Sequence, residues 1–172
     1  EDNKSDLLSA VNDGATLLLL NLPPEAYQIA DTQVTIVPTG MCERHFVSRD
    51  TDHVVVDAFE ENDLRFWHDD EAGYITPFCR SCVLPNPKIA PILTSGTGNS
   101  GFGGPEEWTP VLAAGEIKHG QGLVRICQLD LGNRINTNSQ AGVLAAALVS
   151  AAPEGKSSRR ARKRKLSDAS NY

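Results

Sequence analysis

The last third of the chain constrains the fold most. Thr109–Lys118 and Leu123–Leu131 are two apolar-rich runs joined by His119-Gly120-Gln121-Gly122. Two strand-length runs across a short glycine-bearing connection predict an antiparallel hairpin. Asn138 or Ser139 can then cap a helix running to about Ala152. Its Val143, Leu144, Ala147, Leu148 and Ala151 recur at helical spacing and form one apolar stripe. A hairpin and a helix that each carry an apolar face must bury it against another layer.

The front of the chain supplies that layer. Leu7, Leu8 and Val11 mark a helix over 5–13, with Ser5 as N-cap and Gly14 as its stop. Ala15–Asn21 (ATLLLLN) follows at once and reads as a strand buried on both faces, as in parallel sheets. Pro23-Pro24-Glu25 predicts a short helix through about Ala30, and Val34–Val37 a second strand. His53–Phe59 reads as extended, Glu60–Trp67 as a helical turn, and Tyr74–Thr76 as a strand. Ile89–Thr94 is a strand weakened by Pro91, and Ser95–Pro105 is a glycine-rich loop. Helices alternating with strands predict an α/β fold: a layered, mostly parallel sheet flanked by helices, with a C-terminal β-hairpin.

At 172 residues there is room for one domain, which hides roughly 70% of its unfolded surface and needs no disulfide or metal staple. Apolar residues make up 40% and charged residues 22%, a balance that excludes a disordered chain. No apolar run approaches the roughly 18 residues of a membrane span. No secretory signal opens the sequence, and its single methionine is Met41, so a piece of a longer polypeptide is expected.

Charge divides the chain in two. Residues 156–172 hold seven bases and one acid, which leaves 1–155 at −12 within a total of −6. The expected organisation is one domain over 1–155 and a disordered basic tail over 156–172. An acidic body repels phosphates, and the tail (Arg159 to Lys165) has no aromatics to stack on bases, so the alternative of a nucleic-acid-associated protein acting through its basic tail rests on salt-sensitive attraction alone.

Two stretches carry a resemblance. His53–Trp67 (HVVVDAFEENDLRFW) contains an Asp-Leu-x-x-Trp turn at Asp63, Leu64 and Trp67. Pro110–Val149 contains the glycine-turned hairpin, a strand ending in Gln128 to Leu131, a polar loop and the final helix. Together they resemble the C-terminal accessory domain of bacterial glycoside hydrolases of the β-galactosidase, family 2 type. That resemblance implies an incomplete flavodoxin-like, class I glutamine-amidotransferase-like fold, with further parallel strands expected before residue 5. It implies a non-catalytic segment, since the sugar-cleaving carboxylates of such enzymes sit on a separate barrel. It also implies packing on other domains of the parent hydrolase or in a homo-oligomer, and export where the parent is secreted.

The remaining motifs weigh against chemistry of their own. Amidotransferase activity requires a cysteine on a glycine-flanked strand-to-helix elbow, and Cys42, Cys79, Cys82 and Cys127 lack that setting. Gly96-Thr97-Gly98-Asn99-Ser100-Gly101 spells a dinucleotide fingerprint, but Phe102 to Pro105 cannot start the helix such a site needs. Cys42, His45, Cys79 and Cys82 could form a Cys3His zinc set or a thiol module, with buried or half-exposed thiols as the alternative. The acids Asp57, Glu60, Glu61, Asp63, Asp69, Asp70 and Glu71 read as a solvated surface. Trp67 is expected in the core, and Trp108 is the better platform for a sugar ring. No residue is assigned a catalytic, cofactor-binding or metal-binding role.

Overall fold

The computed structural model describes residues 2–40, 42–97 and 109–150. The basic tail at 156–172, Trp108, and most of the glycine-rich loop lie outside the described residues.

Helix α1 (Asp2–Asn12) starts earlier than its sequence signals, so Ser5 lies inside it and does not cap it. It stops where expected. Gly14 adopts φ +114°, a region that a side chain disfavours. The N–H of Ala15 reaches back to Ala10 O and that of Gly14 to Val11 O, the paired bonds of a Schellman ending. The chain is thereby aimed straight into β1 (Thr16–Leu20).

A mixed, curled sheet forms the centre. Strand β8 (Thr109–His119) and β9 (Gly122–Cys127) make the expected hairpin, with Glu116 opposite Arg125 and His119 opposite Gly122. β7 (Ala90–Thr97) lies along the other edge of β8. Its register shifts around Pro91 and Leu93, which is how the strand accommodates the proline. The carbonyl of Ile92 at this irregularity accepts a bond from Thr51 Oγ1 at 2.8 Å. Beyond the end of β9, the short β6 (Ser81–Val83) meets β8 at Leu112. β3 (Thr32–Pro38) pairs antiparallel with β6, and β2 (Ala26–Ile29) with β3. A separate two-stranded ribbon joins β4 (His68–Asp69) to β5 (Tyr74–Ile75).

Several expectations are corrected. The sheet is mixed and not mostly parallel: β1 with β9 is the one parallel ladder among the described residues. The segment after Pro24 is a strand, not a helix. Ala30 at φ +51° closes a tight turn that lets Gln28 to Ile29 pair with Thr32 to Gln33, and pairing overrides local helix preference. Val54–Val56 is a 3-10 turn, not extended, and it buries Val55 and Val56. β1 is only partly covered on its faces, because its outer edge has no partner among the described residues.

Alternation along the strands separates two cores. Leu18 on β1 and Cys127 on β9 face one side, where α2 (Ser139–Ser150) lays down Ala141, Leu144 and Leu148. Leu17, Leu19, Val124 and Ile126 face the other side, where α1 contributes Val11. A helix thus covers each face, which is the layered α/β architecture. Asn138 caps α2, accepting the Ala141 N–H at 3.0 Å. Burial of Leu144 and Leu148 contributes about 1.5–3 kcal/mol each, while Val143 of the expected stripe stays exposed. Trp67 is buried as expected, stacked on Phe78 with centroids 4.4 Å apart. Its indole N–H donates to Asp63 O at 2.7 Å, which closes the Asp-Leu-x-x-Trp turn.

Candidate functional site

Ligand crevices in layered sheets form beyond the carboxyl ends of parallel strands, where loops diverge. Here that place lies beyond β1 and β9. β1 is followed by Asn21, a non-glycine residue at φ +48°, whose N–H still donates to Cys127 O at 3.1 Å. With its amide turned to donate, the Asn21 side chain reaches Gln128 O at 3.2 Å and Leu129 O at 3.3 Å. The left-handed backbone swings Leu22, Pro23 and Pro24 out of the sheet, and Tyr27 Oη pins the loop by donating to Pro23 O at 2.9 Å.

A cleft of about 440 Å³ opens between this loop, Arg80 and Ser81 at the start of β6, and Asp130 and Asn133 after β9. Asn133 Nδ2 donates to Asp130 Oδ1 at 2.8 Å. Ser81 Oγ donates to Gln128 Oε1 at 3.2 Å, while the buried Gln128 Nε2 has no hydrogen-bond partner. The exposed guanidinium of Arg80 makes no hydrogen bond or ion pair among the described residues. Behind the cleft, buried Arg134 bonds Thr76 Oγ1 and Pro77 O, and lies 3.8 Å from Asp130 and 3.6 Å from Asp69. Asp69 is held below the usual carboxylate range by the Ala72 N–H and the Thr76 hydroxyl first, with the charge of Arg134 adding to them.

A second cluster is sealed inside. Glu116 Oε2 accepts from Arg125 Nε at 2.8 Å and stands 3.3 Å from His53 Nε2, with all three residues buried. His53 Nδ1 accepts the Val55 N–H at 3.2 Å, so the ring hydrogen sits on Nε2, facing the carboxylate. Arg125 also donates to Leu148 O at 2.6 Å near the end of α2. Burial would raise the Glu116 pKa, but the nearby His53 N–H and the bond and charge of Arg125 outweigh it and hold the carboxyl low. The cluster ties the hairpin, α2 and the Val54–Val56 turn together. Sequence reading did not single out Glu116 and Arg125, although they stand equally far from the hairpin turn and carry opposite charge.

The thiols are partly gathered. Cys79 and Cys82 sulfurs lie 3.7 Å apart, and Cys127 is buried nearby as a free thiol. The hydrogen bond to Cys82 and then burial push the Cys79 thiol well above its ordinary value, and burial pushes Cys127 up to about 12. The 3-10 turn Cys42–His45 does sit beside them, with Arg44 O accepting from the N–H groups of Phe78 and Cys79. Even so, no group of three or more His, Cys, Asp or Glu able to hold a metal exists among the described residues. The Cys42 side chain and the sequence from Gly98 to Gly101 lie outside them.

Several of the acids of 57–71 are used locally. Glu60 and Asp63 form a capping box, Glu61 pairs Arg65 at 2.5 Å, and Asp70 contacts His68 at 3.0 Å. No described helix is long and apolar enough to cross a membrane.

No protein-family model matches the chain, and no curated protein matches it. One solved structure is similar: the β-galactosidase from Rahnella sp. R3, with a TM-score of 0.44 and 11% identity. The likeness covers 84% of this chain and 20% of that one.

Proposed function

We propose that this chain is a non-catalytic domain that packs against neighbouring polypeptide in a glycoside hydrolase of the β-galactosidase type. The support for the hydrolase is the sequence resemblance over His53–Trp67 and Pro110–Val149. Support for packing comes from one observation, the open edge of β1. This strand is four leucines and a threonine, without charge, proline or bulge, and among the described residues only β9 pairs with it. Soluble proteins guard such edges, because their free N–H and C=O groups recruit another strand. Beside it, Leu7 of α1 and Leu20 of β1 are exposed and Leu8 is half-buried. The occupant that fits is a strand of the parent protein running parallel to β1, which would extend the parallel part of the sheet and cover its leucines.

The test uses the 172-residue chain. It is expected to leave nitrophenyl glycosides uncleaved, to bind a hydrophobic dye and to self-associate with concentration in sedimentation. Leu7→Lys combined with Leu20→Lys should reduce both dye binding and association while keeping the melting transition. Sugar-cleaving turnover by the chain, or a monomer that binds no dye, would overturn the reading.

A further inference from the structure

We propose that the cleft beyond β1 and β9 binds a small, uncharged, polyhydroxylated ligand of the size of a monosaccharide. Its volume of about 440 Å³ falls within the roughly 300–1,000 Å³ of small-molecule sites. Three loops converge on it, and each brings a planar hydrogen-bonding group: the Asn21 amide, the Arg80 guanidinium, and the Asp130 carboxylate with the Asn133 amide.

Charge selects the ligand class. Among the described residues the lining holds one cation, Arg80, and one anion, Asp130, which together offer no net charge to an ion. A phosphate would meet Asp130, and a metal cation would meet one carboxylate already engaged with Asn133 and facing Arg134. Among the described residues the lining has no aromatic ring, so these residues offer a flat heterocycle no stacking surface. A ligand of alternating hydroxyl donors and acceptors uses what is present. Arg80 supplies donors in a fixed fork, Asp130 keeps acceptor sites beyond the one used by Asn133, and an amide supplies both. Leu22, Pro23 and Pro24 give the apolar wall against which a ring's C–H face can rest.

Two further features suit a binding role. Asn21 holds a left-handed backbone that a non-glycine residue adopts at a cost, and such strain gathers at ligand sites. Behind the wall, Ser81 engages the oxygen of buried Gln128 and leaves that amide's nitrogen unpaired. The inference does not depend on the parent being a hydrolase.

The experiment is an amide-resolved NMR titration of the 172-residue chain with D-galactose and D-glucose, and with glycine and inorganic phosphate as counter-probes. At least one sugar is expected to shift amides of residues 21–24, 80–81 and 130–133 saturably, with millimolar affinity. Arg80→Ala and Asn133→Ala, both at exposed positions, should each weaken that binding by roughly tenfold while leaving the remaining spectrum in place. The proposal fails if neither sugar gives a saturable shift, or if both variants bind as the parent chain does. It also fails if glycine or phosphate saturates these amides while the sugars do not.

Discussion

Glu116 and Arg125 face each other across the β8–β9 hairpin, Oε2 to Nε at 2.8 Å, with no water-exposed surface of consequence on either side chain. A charge pair so enclosed is held by its partners. Arg125 is further bound to the carbonyls of Leu148 and Ala147, and Glu116 lies 3.3 Å from His53 Nε2. Removing one member leaves the other charged and uncompensated. Arg125→Ala is therefore expected to cost about 3–5 kcal/mol of stability in urea unfolding. Replacing Glu116 and Arg125 together by apolar residues of similar volume should cost much less than the single change. Equal losses in the single and double variants would show that the pair is not coupled.

The same pair predicts the acid response. Glu116 has its folded pKa depressed, so its contribution is fully present above the ordinary value of 4.5 and is lost as pH falls through the lower folded value. Unfolding free energy measured from neutral pH down to about pH 3 should fall on acidification. Glu116→Gln should flatten that fall. A variant with the parent's slope would remove Glu116 from the acid response.

Gly122 is where the hairpin meets the end of α1. A Cβ there would collide with the backbone oxygens of Val11 and Ala15 and come within 3.0 Å of the Gly14 carbonyl carbon. These are main-chain atoms that cannot rotate away, and the Gln121 and Leu123 N–H groups are bonded to the same turn at 2.9 and 3.1 Å. Gly122→Ala should therefore destabilise by roughly 2 kcal/mol or more. Gly132→Ala is the control without a steric clash, since a Cβ there meets nothing. Melting temperatures of the two variants in one buffer decide the matter, and equal losses would refute the close approach at Gly122.

Burial and a raised pKa make Cys79 and Cys127 poor nucleophiles in the folded chain. Alkylation mapped by mass spectrometry should label neither at mildly alkaline pH, and both once urea unfolds the protein. Rapid native labelling of either would contradict the buried placement.

The secondary elements with strong local signals were legible. The glycine after α1, the His119–Gly122 connection and the Asn138 cap fix their elements through short-range bonding that the residue types announce. Trp67 in the core was legible too, because Leu64 and Phe66 surround it with apolar neighbours in sequence, although Phe66 itself is exposed. β2 was not, because the proline pair favours a helix start and the strand exists only by pairing with β3. β6 was hidden in Cys79–Val83, where three residues are a strand because β3 and β8 lie on either side.

By itself the sequence determined an α/β chain with a C-terminal hairpin, a final helix and a buried tryptophan, since periodicity, glycine stops and caps act over a few residues. Tertiary structure alone decided that the sheet is mixed, that β1 has one edge unpaired among the described residues, and that Asn21, Arg80 and Asp130 line one cleft. Strand direction and the meeting of distant loops depend on which elements pair across the sheet, and no local pattern encodes that choice.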